Sequence, residues 1–173
     1  MRYTCILLVI LCLSCTAVRV QYDFDEQANF TSYTTYGYYP DLETGLSDFD
    51  EKRLLTAMDS ALQMKGYLLS DEPDFLINIT ASVYDVTPQN SVGVGLGGSG
   101  RNIGGGVSIG LPLGRTNAER LLQFDFVDNE KDKLFWQAIS ESTFKENANP
   151  ETKVNQFNAI VTKVLSKYPP EKK

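Results

Sequence analysis

Along residues 46–67, LSDFDEKRLLTAMDSALQMKGY, apolar side chains recur three or four apart. Leu54, Ala57, Met58, Ala61 and Leu62 share one face, while Glu51, Lys52, Asp59, Ser60 and Gln63 take the other. That spacing predicts an amphipathic helix with its apolar stripe in the core. Asp48 reads as its N-cap, Glu51 as the return arm of a capping box and Gly66 as its left-handed stop. A second helix is announced by Asn149-Pro150, a cap followed by proline at the first helical position. Val154, Phe157, Val161, Val164, Leu165 and Tyr168 form its stripe, and Pro169-Pro170 ends it.

Between these helices the period changes from three or four to two. Residues 18–24 and 33–39 are rich in β-formers, 75–86 alternates through Leu76, Asn78, Thr80 and Ser82, and 121–127 continues the pattern. Asp128-Asn129 opens a turn, after which 133–140 pairs back as a hairpin around Leu134, Trp136 and Ala138, with Trp136 in the core. Parallel neighbours need a crossover between them, and the order β-β-α, several β, then α does not supply one helix per parallel pair. The fold class expected is α+β: a mainly antiparallel sheet, mixed order being left open, with two helices packed on one face and a glycine-rich β-hairpin added.

That hairpin is residues 91–114, SVGVGLGGSGRNIGGGVSIGLPLG, which hold ten of the thirteen glycines of the chain. GLGGSG satisfies G-x-G-x-x-G, but a dinucleotide turn must open a helix, and GGGVSIG is no helix. No Gly-Lys-Ser/Thr follows, so a P-loop fails as well. Val92, Val94 and Leu96, then Val107, Ile109 and Leu111, alternate with small residues, which predicts two strands around a turn. The segment carries no nucleotide. Its bare face either receives a partner or makes a mobile arm of weak register.

Composition bears on compartment rather than on fold. Arg2 precedes an apolar run, Ile6 to Leu13, too short for the roughly 20 residues that cross a bilayer and of the length of an export signal. The run ends at LCLSC, which resembles a bacterial lipobox and makes residues 1–14 the signal peptide, Cys15 the lipid-attachment residue with palmitate-type chains, and 15–173 a single domain. Cys12 stands where such sites usually carry Leu, Val or Ile. The three cysteines are Cys5, Cys12 and Cys15, so the mature chain has no disulfide partner and must rely on its core. Thr16 does not resemble the aspartate that retains some lipoproteins at the inner membrane, which points to the outer membrane. The net charge of −6 falls further when Arg2 is removed, leaving 15 basic against 22 acidic residues. Such a surface repels phosphate backbones and anionic headgroups alike, so neither nucleic acid nor a polybasic membrane contact is expected.

TSYTTYGYYP (31–40), ALQMKGY (61–67), DFLINITASV (74–83) and LLQFDFVDNEKDKLFWQAIS (121–140), with the glycine-rich insert between the last two, occur in this order. Together they resemble the bacterial lipoprotein domain family of unknown function 4136 over roughly 18–168. The hairpin from Asp125-Phe126-Val127-Asp128 to Lys133-Leu134-Phe135-Trp136 is the most specific part. The resemblance implies a lipoprotein and a fold, and brings no catalytic residues with it.

Candidate chemistry is narrowed by what is missing. With no histidine, triads and His-metal sites cannot be built from this chain. Cys15, the one thiol kept after cleavage, is committed to lipid. Carboxylate pairs, Asp125 with Asp128 or Asp23 with Asp25, are the remaining route to a hydrolase or a calcium site, though all suit solvated or turn positions. Neither cofactor nor metal is expected, and the expected role is non-catalytic binding or scaffolding with an envelope protein partner. The alternative is a small-ligand or glycan binder using Tyr33, Tyr36, Tyr38 and Tyr39, whose rings could stack on sugars. Alternation puts Tyr36 and Tyr38 on one face, and Tyr33 and Tyr39 on the other.

Overall fold

Twelve-residue strands whose alternate positions are large and apolar organise the computed structural model, which describes residues 18–86 and 117–171. In chain order the elements are β1 (Arg19–Phe24), β2 (Thr35–Tyr38), α1 (Asp48–Met64), β3 (Leu68–Leu69), β4 (Phe75–Val86), β5 (Asn117–Asp128), β6 (Lys133–Phe144) and α2 (Pro150–Val164), with short 3-10 turns at Phe30–Ser32 and Leu165–Lys167. The six strands form one sheet of order β1-β6-β5-β4-β2-β3. The hairpin expected over 91–114, the signal peptide expected over 1–14 and Cys15 lie outside the described residues.

The class is α+β, but the sheet is mixed rather than mainly antiparallel. β1/β6, β6/β5 and β5/β4 are antiparallel, whereas β2 runs parallel to both β3 and β4. The reason lies in α1. The chain leaves β2, crosses through α1 and returns in the same direction, first as β3 and then as β4, so one crossover helix serves two parallel neighbours. Gly66, at φ +92°, turns the chain out of α1 in a conformation natural to glycine.

The N-cap of α1 is Ser47, one residue earlier than the sequence reading, and makes no side-chain cap bond. Asp48 is therefore the first helical residue. Glu51 does not reach back; its carboxylate accepts the Thr44 hydroxyl at 2.6 Å. Asp48, Asp50 and Glu51 still place negative charge at the positive end of the helix. α2 starts as expected, with Asn149 Oδ1 accepting the Thr152 N–H at 2.8 Å and Pro150 at the first position.

One face of the sheet is closed by both helices. Leu54, Met58 and Leu62 of α1 and Phe157, Ile160, Val161 and Val164 of α2 bury against Phe75, Ile77 and Ile79 of β4, Leu122, Phe124 and Phe126 of β5, and Trp136 and Ala138 of β6. Each large side chain removed from water contributes about 1.5–3 kcal/mol. Ile160 belongs to this core, while Val154, expected there, stands exposed.

β6 breaks the simple alternation. Phe126 pairs with Trp136 and Val127 with Leu134, leaving Phe135 as an extra, unpaired residue. Such a bulge resets which side each residue faces. Phe135 and Trp136 are consequently both buried, and Leu134 is 45% exposed.

Candidate functional site

The tyrosines of the 31–40 segment do not form one surface. Tyr33 precedes β2 and enters the core, where its ring stacks on Phe135 at 4.1 Å and its hydroxyl donates to Asp128 Oδ2 at 2.8 Å. It borders the surface at a hollow of about 340 Å³ shared with Tyr67 and Pro169. Tyr36 and Tyr38 share a face, as alternation required, and both donate to Asp59 Oδ1 of α1, at 2.8 and 2.7 Å. Burial, reinforced by these carboxylates, pushes all three phenols well above the usual tyrosine range. Only Tyr39 lies on the uncovered side of the sheet. Its phenol is also raised, by burial and then by the charges of Asp132 and Asp125.

The acidic residues separate in the same way. Asp128 occupies the helix side of β5, its backbone-capped turn closed by the Glu130 and Lys131 N–H groups at 3.1 and 2.9 Å and by Lys131 Nζ at 2.8 Å. Burial opposes its charge, but the Lys131 contacts and the Tyr33 hydroxyl outweigh that and hold the carboxyl down to about 2. Asp125 points to the other side, where Gln137 Nε2 donates to it at 2.7 Å and Gln123 Nε2 at 2.9 Å. The two are thus on opposite faces and do not make an acid–base pair. Asp25 lies past the end of β1 in an ion pair with Lys133 at 2.5 Å, while Asp23 accepts its neighbour's backbone N–H at 2.9 Å.

The uncovered face carries the best candidate site. Leu76, Asn78 and Thr80 of β4, Gln123, Asp125 and Val127 of β5, and Gln137 and Ile139 of β6 alternate with the core residues and are packed by no helix among the described residues. A basin of about 350 Å³ on it is lined by Tyr39, Asp41, Asn78, Asp125, Val127 and Leu134. The combination of one half-buried ring, an amide and carboxylates can stack on an apolar ring face and hydrogen-bond hydroxyl groups around it. Asn78, Gln123 and Gln137 were not singled out from sequence, although the period-two pattern already put them on one side. A larger hollow of about 690 Å³, between Phe24, Phe30 and Pro170, gathers none of the expected tyrosines. No group of three or more metal-ligating side chains exists among the described residues.

A mixed sheet backed on one side by two helices, with its other side open among the described residues, defines a two-layer α+β sandwich. The chain belongs to the family described as Domain of unknown function (DUF4136), whose model matches residues 20–170. None of the curated proteins matches the sequence. Among solved structures the fold is similar to part of a PDZ domain protein from Parabacteroides distasonis, at TM-score 0.57 and 12% identity. That match covers 95% of this chain and 39% of the other, so the chain spans well under half of that relative's length. It is also similar to PelC from Paraburkholderia phytofirmans, a dodecamer, at TM-score 0.52 and 9% identity over 90% of this chain and 100% of that one. A second PelC dodecamer gives TM-score 0.51 and 8% identity over 87% and 95%.

Proposed function

We propose that this chain is a lipid-anchored protein of the cell envelope, tethered in the outer membrane through Cys15, whose domain works by non-catalytic binding or scaffolding with another envelope protein. The observation that carries the reading is the one-sided sheet. Two helices seal one face, and the opposite face of β4, β5, β6 and β1 presents a mixture of amides, carboxylates and aliphatic side chains to solvent. Mixed polarity of this kind is the ordinary composition of a non-obligate interface. The placement of Asp125 and Asp128 on opposite faces supports a role without acid–base chemistry. The fold shared with dodecameric PelC adds support for assembly as the use of the domain.

The anchor is tested by intact mass and by Cys15→Ser, which should move the protein from the membrane to the soluble fraction. The binding face is tested with a photo-crosslinker at Ile139, on the open face, against one at Lys163, on the outer side of α2. Adducts confined to Ile139 support the reading; equal yields at both positions, or none at Ile139, overturn it.

The second reading, a glycan or small-ligand binder, is favoured by one feature, the basin beside Tyr39. Its volume falls within the range of small-molecule sites. Titration with envelope oligosaccharides should then show binding that Tyr39→Ala abolishes; identical heats for both proteins discard it.

A further inference from the structure

One end of the molecule gathers features that nothing in the core requires. There β1 and β5 begin and β4 and β6 finish, with Arg19 opposite Glu141 and Val83 opposite Arg120. Both helices also begin there, since Asp50 in the first turn of α1 meets Arg120 and Lys153 in the first turn of α2 meets Asp50. Large apolar side chains stand in solvent around this end: Phe49 at 75% exposure, with Val83, Val154 and Tyr84 also exposed.

Cations accompany them. Arg53 at 2.8 Å, Lys153 at 3.3 Å and Arg120 at 3.6 Å share the single buried carboxylate of Asp50, so two positive charges remain uncompensated by it. The Arg53 guanidinium also lies 5.9 Å from the centre of the Phe49 ring. Two buried polar atoms of the same region, Arg120 Nε and Ser142 Oγ, have no hydrogen-bond partner among the described residues. The two helix N-termini add partial positive charge from their free N–H groups.

We propose that this end is a membrane-docking face, in which Phe49, Tyr84, Val83 and Val154 enter the headgroup layer and Arg53 and Lys153 meet lipid phosphates. The proposal rests on the anchored reading and sharpens it. Only residues 16–18 separate Cys15 from β1, and a fully extended chain spans at most about 3.6 Å per residue, or roughly 14 Å from Cys15 to Arg19. A lipid on Cys15 therefore holds this end close to the bilayer. Aromatic rings suit the interface, where one part of each group is apolar and the other wet, and Arg53 and Lys153, folded onto Asp50 with 22% and 21% of their side chains exposed, offer that exposed part to phosphates at the surface.

The acids at the same end set the mode of contact. Glu51 is engaged by Thr44, and Glu141 by Arg19 and Tyr84, but Asp48 and Glu151 add negative charge in the first turns of the two helices, and Glu119 stands opposite Tyr84 on the open face. Docking is therefore short-range, through insertion and direct phosphate contact, and not through long-range attraction to an anionic leaflet. Met64 and Leu68 are comparably exposed, yet sit at the far end, Met64 closing α1 and Leu68 in the β3 that follows it, and serve as the control.

The test uses the full chain reconstituted in vesicles of phosphatidylethanolamine and phosphatidylglycerol containing headgroup-quencher lipids, with a fluorophore on Phe49→Cys or on Met64→Cys. The Phe49 position should be quenched several-fold more strongly, and little changed by salt. Phe49→Asp, at an exposed site, should leave the fold intact by circular dichroism and lift a second label at Tyr84→Cys out of quencher range. Equal quenching at Phe49 and Met64 in protein whose mass shows an acylated Cys15 overturns the face and leaves the anchor standing. An unmodified mass overturns the anchor, and co-sedimentation of that full chain with the same vesicles then decides the face. Loss of sedimentation in Phe49→Asp sustains it, and no sedimentation of the parent chain overturns it.

Discussion

Phe135 and Leu134 offer a decisive comparison, because a regular strand and a bulged one assign them opposite environments. In the structure the Phe135 ring is buried and lies 4.1 Å from Tyr33 and 5.6 Å from both Phe30 and Phe75, centre to centre. Truncating such a ring forfeits its transfer energy and leaves a cavity in a region that three other rings hold open, which costs about 3–5 kcal/mol for Phe→Ala. Leu134 is 45% exposed, so Leu134→Ala removes about half of a buried leucine's contribution, roughly 1 kcal/mol. In a domain of this length each kcal/mol moves Tm by about 2–4 °C, giving a fall of roughly 6–20 °C for Phe135→Ala against about 2–4 °C for Leu134→Ala. Thermal and urea unfolding followed by circular dichroism measures both, with equal urea slopes as the sign that the folded states match. A regular ladder with Leu134, Trp136 and Ala138 on one side predicts the reverse order. If Leu134→Ala proves the costlier substitution, the bulge and the aromatic core built on it are wrong.

Three further outcomes follow from local geometry. Asp128, whose carboxyl is held at about 2 in the fold against 3.8 for a free aspartate, contributes stability that is complete above pH 4 and lost as pH falls through 2. That loss is about 1 kcal/mol once solvent screening at the turn is allowed for, and Asp128→Asn should flatten this part of the acid unfolding curve. Gly37→Ala should destabilise the fold by about 1–3 kcal/mol in urea unfolding, because a Cβ there would stand 2.9 Å from Pro73 Cγ and 3.3 Å from the Ser70 carbonyl; an unchanged midpoint would refute that packing. Asn149→Ala should cost about 1 kcal/mol, with Asn149→Ser restoring most of it, since the Asn149 side chain satisfies the Thr152 N–H at that helix start.

Both helices were legible because a repeat of three to four residues needs no knowledge of the partner, and the Asn149 cap because proline beside it fixes the register. Trp136 in the core, and Tyr36 with Tyr38 on one face, followed from strict alternation. The parallel pairing of Tyr36 with Phe75 joins residues far apart in the chain, and no local pattern encodes it. Tyr33 escaped the alternation because β2 starts only at Thr35, leaving Tyr33 free to swing into the core. Phe135 escaped it because one inserted residue inverts the pattern without leaving a glycine or proline to mark the place. The basin beside Tyr39 was half legible: its residue types were visible, but its assembly depends on β2 and β5 both flanking β4.

The six-residue β1 also decides how the domain bears load. Its N-terminal residue and its ladder with β6, from Arg19 opposite Glu141 to Phe24 opposite Trp136, lie along the axis that joins the two ends of the molecule. A pull entering at Arg19 and resisted at the distal end runs along the strands, at right angles to the hydrogen bonds. All six pairs are then strained together in shear rather than peeled apart in turn, so a tether attached ahead of β1 would break the fold last where it grips it first.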